Sequence, residues 1–382
     1  MSVSCTMIED NPFPTSTFVK QEQFCDRTKE LGQLKQALKG GSHHTIVSLR
    51  RMGKTALVDH FISKYSKSRD VEFLKIDIQG TQGFEDFNQL LATAISRSYV
   101  SASGKLTSAL SSFISRFRAS LSVDPLTQLP TVELALGSAS QNSRTLSDLV
   151  AELEKSPKRV VLAIDEVQQI IQYPGTNAES LLRSVIQPLR NVSCVFAGSR
   201  KDMMVSMFSD HRRPFYHSTE MMFLNPIDRN TYTNFICEQF SKTGRTITLP
   251  MAEMVYDAMR GHTFYVQLVC RRIWSSGQKK VNTEAHIHTA LIETCKELEQ
   301  EFYTYRNLLP SGQWDVLLAI ARQGSITSPS SKDFLEKHKL GLPSSTLKAV
   351  KALLEKELVY RDDEGTYYAY NPLFTWWASN LT

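Results

Sequence analysis

The sequence predicts an α/β fold, a parallel sheet with helices on both faces, followed by a helical lid segment and a C-terminal winged helix. Three observations predict it. Apolar runs of strand length alternate with segments of helical spacing across residues 43–226, the rhythm of parallel strands joined by helical crossovers. From Asp228 to about Lys296 the pattern is helical throughout. Residues 308–382 then read as three helices and "LVYRDDEGTYYAYNP", two strand-like runs joined by the turn "DDEG", which is a winged-helix plan. The expected domains are residues 1–226, with an inserted segment at about 100–145, then 227–307 and 308–382.

Each element has its own signal. "FCDRTKELGQLKQALKGG" places Leu31, Leu34, Ala37 and Leu38 on one helical face, with Gly40 and Gly41 as the stop. "TIVSL" is a buried strand, and Leu57, Val58, Phe61, Ile62 and Tyr65 recur at helical spacing behind Lys54. "VEFLKIDI" alternates as a strand does, and a helix from about Phe84 to Tyr99 follows it. Residues 100–145 are rich in serine and poor in charge, and "SLSVDPLTQLPTVELAL" within them reads as a hairpin. Regular alternation resumes with a helix at "TLSDLVAELEKS", the strand "RVVLAIDE", a helix at "ESLLRSVIQPL", and the strands "VSCVFAGS" and "MMFLNP".

Composition narrows the class without naming an activity. A chain of 382 residues with 41% hydrophobic and 22% charged residues has the material for two or three globular domains. No apolar run is long enough to span a bilayer, and "MSVSCTMIEDNPFP" lacks a signal-peptide pattern, so the expectation is a cytoplasmic protein without a membrane partner. The six cysteines include no C-x-x-C pair and read as reduced core thiols rather than zinc ligands. His43–His44 and His286-x-His288 read as surface or helix-cap residues. A net charge of +5 permits an anionic ligand or nucleic acid and requires neither.

The chemistry is carried by residues far apart in the chain. A phosphate loop needs backbone N–H groups on a tight turn at a helix N-terminus, a lysine for the β/γ oxygens, and a hydroxyl for Mg²⁺. In "SLRRMGKTA" the residues Ser48, Arg50, Arg51, Met52, Gly53, Lys54, Thr55 and Ala56 form such a turn between a strand and a helix. Ser48 stands where the first glycine of G-x-x-x-x-G-K-[ST] belongs, which matters if that residue must be left-handed. Asp165 and Glu166 close the apolar strand "VVLAIDE", at the strand tip where ligands of open α/β sheets collect. Asp165 suits the magnesium shell and Glu166 suits polarising a water for in-line attack. Ser199, at the end of "VSCVFAGS", is placed to orient that water. Arg200, Arg212 and Arg213 are candidates to stabilise charge on the phosphoryl group, within the chain or from a neighbouring subunit. Arg50 and Arg51 either add positive field beside the triphosphate or pair with carboxylates.

These residues, in this order, resemble the archaeal and bacterial ATPases of the STAND class, a branch of the AAA+-related (ASCE) P-loop NTPases. "NPFP" followed by "FCDRTKEL" is similar to that family's entry segment, with Arg27 and Glu30 matching its arginine and glutamate. "SLRRMGKTAL" resembles its phosphate loop, "AIDEVQQI" its Walker B strand, and "FAGSRKDMMVSMF" with "RRPFY" its sensor strand and the segment after it. "RGHTFYVQLVC" resembles its lid motif at Gly261, Tyr265 and Gln267, with Thr263 in place of proline. The resemblance implies ATP or ADP with Mg²⁺, held between the sheet domain and the lid, and a winged helix that responds to nucleotide state.

Three functions are open at this level. One is an ATP-binding, slowly hydrolysing switch that reports to a protein partner or to self-assembly. A second is an ATP-regulated DNA-binding protein using "SSTLKAVKALLEKEL", with Lys348, Lys351 and Lys356 toward phosphates. It is disfavoured because residues 311–382 balance eight basic residues (Arg322, Lys332, Lys337, Lys339, Lys348, Lys351, Lys356, Arg361) against eight acidic ones (Asp315, Asp333, Glu336, Glu355, Glu357, Asp362, Asp363, Glu364), where DNA binders carry a basic surplus. The third is a nucleotide-binding structural protein without turnover.

Overall fold

The computed structural model describes residues 10–16, 20–39, 42–99, 108–123, 125, 130–135, 138–175 and 177–380. Gly40 and Gly41, expected to stop the first helix, lie outside the described residues, as do residues 100–107 of the serine-rich segment. Two compact units emerge, one of residues 17–225 and one of residues 226–382 together with residues 1–16. Among the described residues no helix is long and apolar enough to cross a membrane.

The first unit contains the strands β1 (His44–Val47), β2 (Val71–Asp77), β3 (Ser120–Val123), β4 (Pro130–Glu133), β5 (Arg159–Asp165), β6 (Val192–Gly198) and β7 (Glu220–Phe223). Five of them form one sheet in the order β2-β5-β6-β1-β7, with every pairing parallel. The antiparallel pair β3–β4 is the hairpin expected in the serine-rich segment.

The sheet is covered on both faces because its central strands are apolar at successive positions. Val160, Leu162 and Ile164 pack with Leu91, Leu149, Leu182 and Phe196 on one side. Val161 and Ala163 pack on the other against Leu31 and Leu34 of the helix Thr28–Ala37 and Leu57 and Phe61 of the helix Lys54–Tyr65. Register aligns the strand ends, with Val47 opposite Gly198 and Asp77 opposite Asp165. β6 therefore lies between β1 and β5, and Ser48, Ser199 and Asp165 emerge along one edge of the sheet.

The second unit is built on the helices Arg229–Lys242, Leu249–Ala258, Thr263–Ser275 and Glu284–Leu308, with the short parallel pair β8 (Thr246–Ile247) and β9 (Lys280–Val281) between them. The winged helix follows as the helices Ser311–Gln323, Lys332–Lys337 and Pro343–Glu355, the antiparallel wing β10 (Val359–Arg361) and β11 (Tyr367–Ala369), and a last helix Pro372–Asn380. Trp377 is buried against Phe302 and Phe374, so this terminal tryptophan is core. The "NPFP" segment belongs to this unit: Phe13 is fully buried with its ring 5.0 Å from Phe240, and Asn11 Nδ2 donates to the Arg271 carbonyl at 3.2 Å.

Candidate functional site

The loop after β1 answers the question that Ser48 raises. Left-handed backbone occurs at Arg51 (φ 64°) and Gly53 (φ 87°), and Ser48 is not left-handed. Its N–H still points along the sheet toward the Gly198 carbonyl, at 3.5 Å. The serine therefore ends the strand, and the turn that demands a glycine lies at Gly53. The Ser48 hydroxyl is buried and has no hydrogen-bond partner among the described residues.

The helix begins at Lys54 directly behind that turn, so its first N–H groups and the positive end of its dipole face the loop. Arg27, itself left-handed (φ 62°) and buried, caps the preceding helix. It donates to Glu30 Oε1 at 3.1 Å and reaches the Met52 carbonyl at 3.5 Å. The entry segment thus braces the loop from behind.

At the loop's centre, Lys54 Nζ lies 2.6 Å from Asp165 Oδ1 and 3.1 Å from Glu166 Oε1. Thr55 Oγ1 donates to Asp165 Oδ2 at 3.0 Å. Glu166 has left the strand on left-handed backbone (φ 54°), and its Oε2 accepts from Ser199 Oγ at 2.9 Å, Ser199 N at 3.3 Å, and Gln168 Nε2. Burial pushes both carboxyls up, but the Lys54 ammonium and these donors outweigh it, so both lie below the usual carboxylate range. Lys54, Thr55, Asp165, Glu166 and Ser199, separated by up to 145 positions (199 minus 54), form one polar cluster in which Lys54, Asp165 and Ser199 are buried.

The remaining candidates divide. Arg50 and Arg51 are exposed on the loop, and Ala56 lies in the helix's first turn. Arg212 is exposed and bound in fork geometry to Asp210, at 3.1 and 2.9 Å, which holds the Asp210 carboxyl well below the usual range. Arg213 pairs with Glu179, whose carboxyl is pushed up by burial against the pull of Arg213. Arg183, Arg212, Arg213 and Tyr216 line a cleft of about 430 Å³. Gly261 and Tyr265 belong to the second unit. Gly261 is left-handed (φ 65°) between two helices, Tyr265 is buried, and Gln267 donates to the Tyr232 hydroxyl at 3.2 Å.

Sequence reasoning missed Gln168 and Gly198. Gln168 is buried beside Glu166, and its carbonyl oxygen would lie 2.4 Å from a Cβ at position 198. Nothing local singles Gln168 out, because the segment "VQQIIQ" also carries Gln169 and Gln172.

Thr55 and Asp165 suit Mg²⁺ by donor chemistry: a hydroxyl and a carboxylate, both hard oxygen ligands, 3.0 Å apart at a helix start. Magnesium keeps waters and takes phosphate oxygens, so it needs no larger carboxylate cage. No cluster of three or more His, Cys, Asp or Glu that could hold a metal occurs among the described residues.

Comparison with known proteins agrees with this geometry. Residues 24–269 match the model of an ATPase domain predominantly from Archaea, and residues 300–380 match that of a probable winged helix domain. No curated protein matches the sequence. Among solved structures, the Walker-type ATPase of Pyrococcus abyssi is similar at a TM-score of 0.65 and 19% identity, over 96% of this chain and 99% of that one. The ORC2 protein of Aeropyrum pernix, in ADPNP–ADP complexes, reaches 0.54 at 12% identity over 93% of both chains. The ORC1 protein of the same organism, in complex with DNA, reaches 0.50 at 14% identity, over 93% of this chain and 92% of that one. These likenesses establish the fold, a P-loop ATPase sheet with a C-terminal winged helix. The first match spans residues 24–269 of the 382, more than half, and the chain belongs to the family of ATPase domains found predominantly in Archaea.

Proposed function

We propose that the chain binds ATP with Mg²⁺ at the phosphate loop, hydrolyses it slowly, and acts as a nucleotide-dependent switch of the STAND type. The observation that carries this reading is the convergence of Lys54, Thr55, Asp165, Glu166 and Ser199 at a helix N-terminus. In the bound state the loop N–H groups and Lys54 would take the phosphate oxygens, while Thr55 and Asp165 would hold the metal. The metal supplies charge neutralisation on the phosphates. Glu166 accepts a proton from the attacking water, which Ser199 helps to orient. Either Arg212 or Arg213 supplies a further cation once its carboxylate partner is displaced, from within the chain or from a second copy.

In this reading the lid and winged helix report nucleotide state to a protein partner or to a second copy. Support comes from the helix Pro343–Glu355, where Leu347 is 47% exposed and the capping Leu342 is 73% exposed; exposed leucines beside lysines suit a protein surface better than a phosphate backbone. The test compares ATP hydrolysis by the wild type, Lys54→Ala and Glu166→Gln. Lys54→Ala should bind no ATP, and Glu166→Gln should bind without turnover. Equal hydrolysis by all three would overturn the reading, and salt-sensitive binding to duplex DNA would favour the DNA-binding alternative.

A further inference from the structure

We infer that Gln168 is the positioning residue for Glu166 and that residue 198 is glycine to leave room for it; this rests on the reading of Glu166 as the base. Glu166 follows the last residue of β5 on left-handed backbone, so no strand ladder fixes its side chain. Its rotamer is set by what its two oxygens touch. Oε1 accepts from Lys54, which turns to the phosphates when ATP is bound. Oε2 accepts from Ser199 and from Gln168 Nε2. Of the side chains touching Glu166, Gln168 is the one rooted in the same segment.

Its anchoring is firm. Gln168 lies in the short 3₁₀ helix Val167–Gln172, and the neighbouring Val167 and Ile170 are fully buried in the core. The amide orientation is chemically determined, because the flipped amide would set its oxygen against the carboxylate. In the orientation adopted, Oε1 lies against β6, where a Cβ on residue 198 would fall 2.4 Å from it and 2.3 Å from Met204 Sδ. That Oε1 is buried with no hydrogen-bond partner among the described residues. A buried orphan acceptor is a cost that a plain core position avoids by using leucine or methionine. The amide N–H that comes with it reaches the base, and this is what the residue type provides.

The decisive variant is Gln168→Met, nearly isosteric and without the donor. Wild type, Gln168→Met and Gly198→Ala are compared by steady-state ATP hydrolysis, by affinity for a fluorescent ATP analogue, and by thermal melting. The expected result for Gln168→Met is a kcat lowered about tenfold, with KM, analogue affinity and melting temperature essentially unchanged. Gly198→Ala should show the same split between kcat and affinity, with a lower melting temperature from its contact with Met204. Wild-type kcat in Gln168→Met would mean that Gln168 merely fills space, and affinity falling in step with kcat would mean general distortion of the loop; either overturns the inference. A wild-type protein that binds ATP without turning it over fails at the level of the proposed function and removes the role with it, an outcome visible before any variant is made.

Discussion

Lys54 Nζ sits between two carboxylates, 2.6 Å from Asp165 Oδ1 and 3.1 Å from Glu166 Oε1, so one ammonium is shared by both acids of the strand end. The same ammonium is the one a triphosphate would claim. In the proposed function a bound nucleotide would exchange this internal pairing for phosphate contacts, and a metal held by Thr55 and Asp165 would supply the positive charge that Lys54 gives up.

Removing the lysine should cost stability as well as binding. Lys54→Ala leaves buried carboxylates uncompensated, a change worth about 3–5 kcal/mol where a buried pair is broken. The pH dependence has a definite sign. Both folded-state carboxyls lie below their ordinary range, so their contribution is present above the unfolded-state value and is lost as pH falls through the folded one. In Lys54→Ala only the hydrogen-bond donors still oppose burial, so the folded-state values move back up and the loss of stability on acidification should be smaller than in the wild type. Urea midpoints of both proteins from about pH 3 to pH 7 check this, and parallel curves would contradict it.

A buried histidine should make the second unit acid-sensitive. His262 is 2% exposed, its Nδ1 has no hydrogen-bond partner among the described residues, and burial, with a contribution from the neighbouring Arg260, lowers its pKa to about 3. The unfolded chain takes up this proton near pH 6.5 and the folded one does not, so stability falls as pH drops below that value. Between pH 7 and 5 the loss is about 2 kcal/mol. We expect His262→Gln to flatten that part of the stability profile, measured by denaturant titration at the two pH values.

Position 48 should tolerate glycine without gain. Ser48 is not left-handed, so Ser48→Gly relieves no strain and should leave ATP affinity within about twofold. Within the loop, Arg51 is a non-glycine residue on left-handed backbone (φ 64°). Arg51→Gly should raise stability by about 1 kcal/mol. Melting curves and nucleotide titrations of the two variants separate these expectations, and a large affinity gain in Ser48→Gly would refute this account of the loop.

Gly261→Ala should be among the most damaging single-methyl changes in the chain. Residue 261 is left-handed, and an added Cβ would lie 2.6 Å from the Tyr256 hydroxyl and 2.9 Å from Pro226 Cβ. Tyr256 is itself tied to the Ile227 carbonyl at 2.6 Å and has little freedom to yield. A loss of about 2–4 kcal/mol is expected, read from chemical denaturation.

Much of this site is visible in the primary structure. Gly53-Lys54-Thr55 and Asp165-Glu166 are recognisable because a phosphate loop and a carboxylate-tipped strand each require particular residue types at fixed local spacing. Ser199 follows from being the polar end of an apolar strand. Gln168 carries no such mark, since its role depends on the absence of a side chain on Gly198 in a different strand. Arg212 and Arg213 read as interchangeable candidates, yet the first is exposed on Asp210 and the second is half-buried on Glu179.

Residue pattern along the chain was enough to read the main strands and helices and to point to Gly53-Lys54-Thr55 and Asp165-Glu166, because hydrophobic period and turn chemistry are local properties. Whether Ser48 is a defect, which donors hold Glu166, and to which unit "NPFP" belongs were settled by packing. Backbone torsion at residue 48 depends on where β1 stops pairing with β6, the Glu166 rotamer depends on donors from two other segments, and Phe13 is buried against Phe240, more than 200 positions away in sequence (240 minus 13). Contacts between segments remote in sequence leave no period and no spacing to read, and they exist only once the chain has closed on itself.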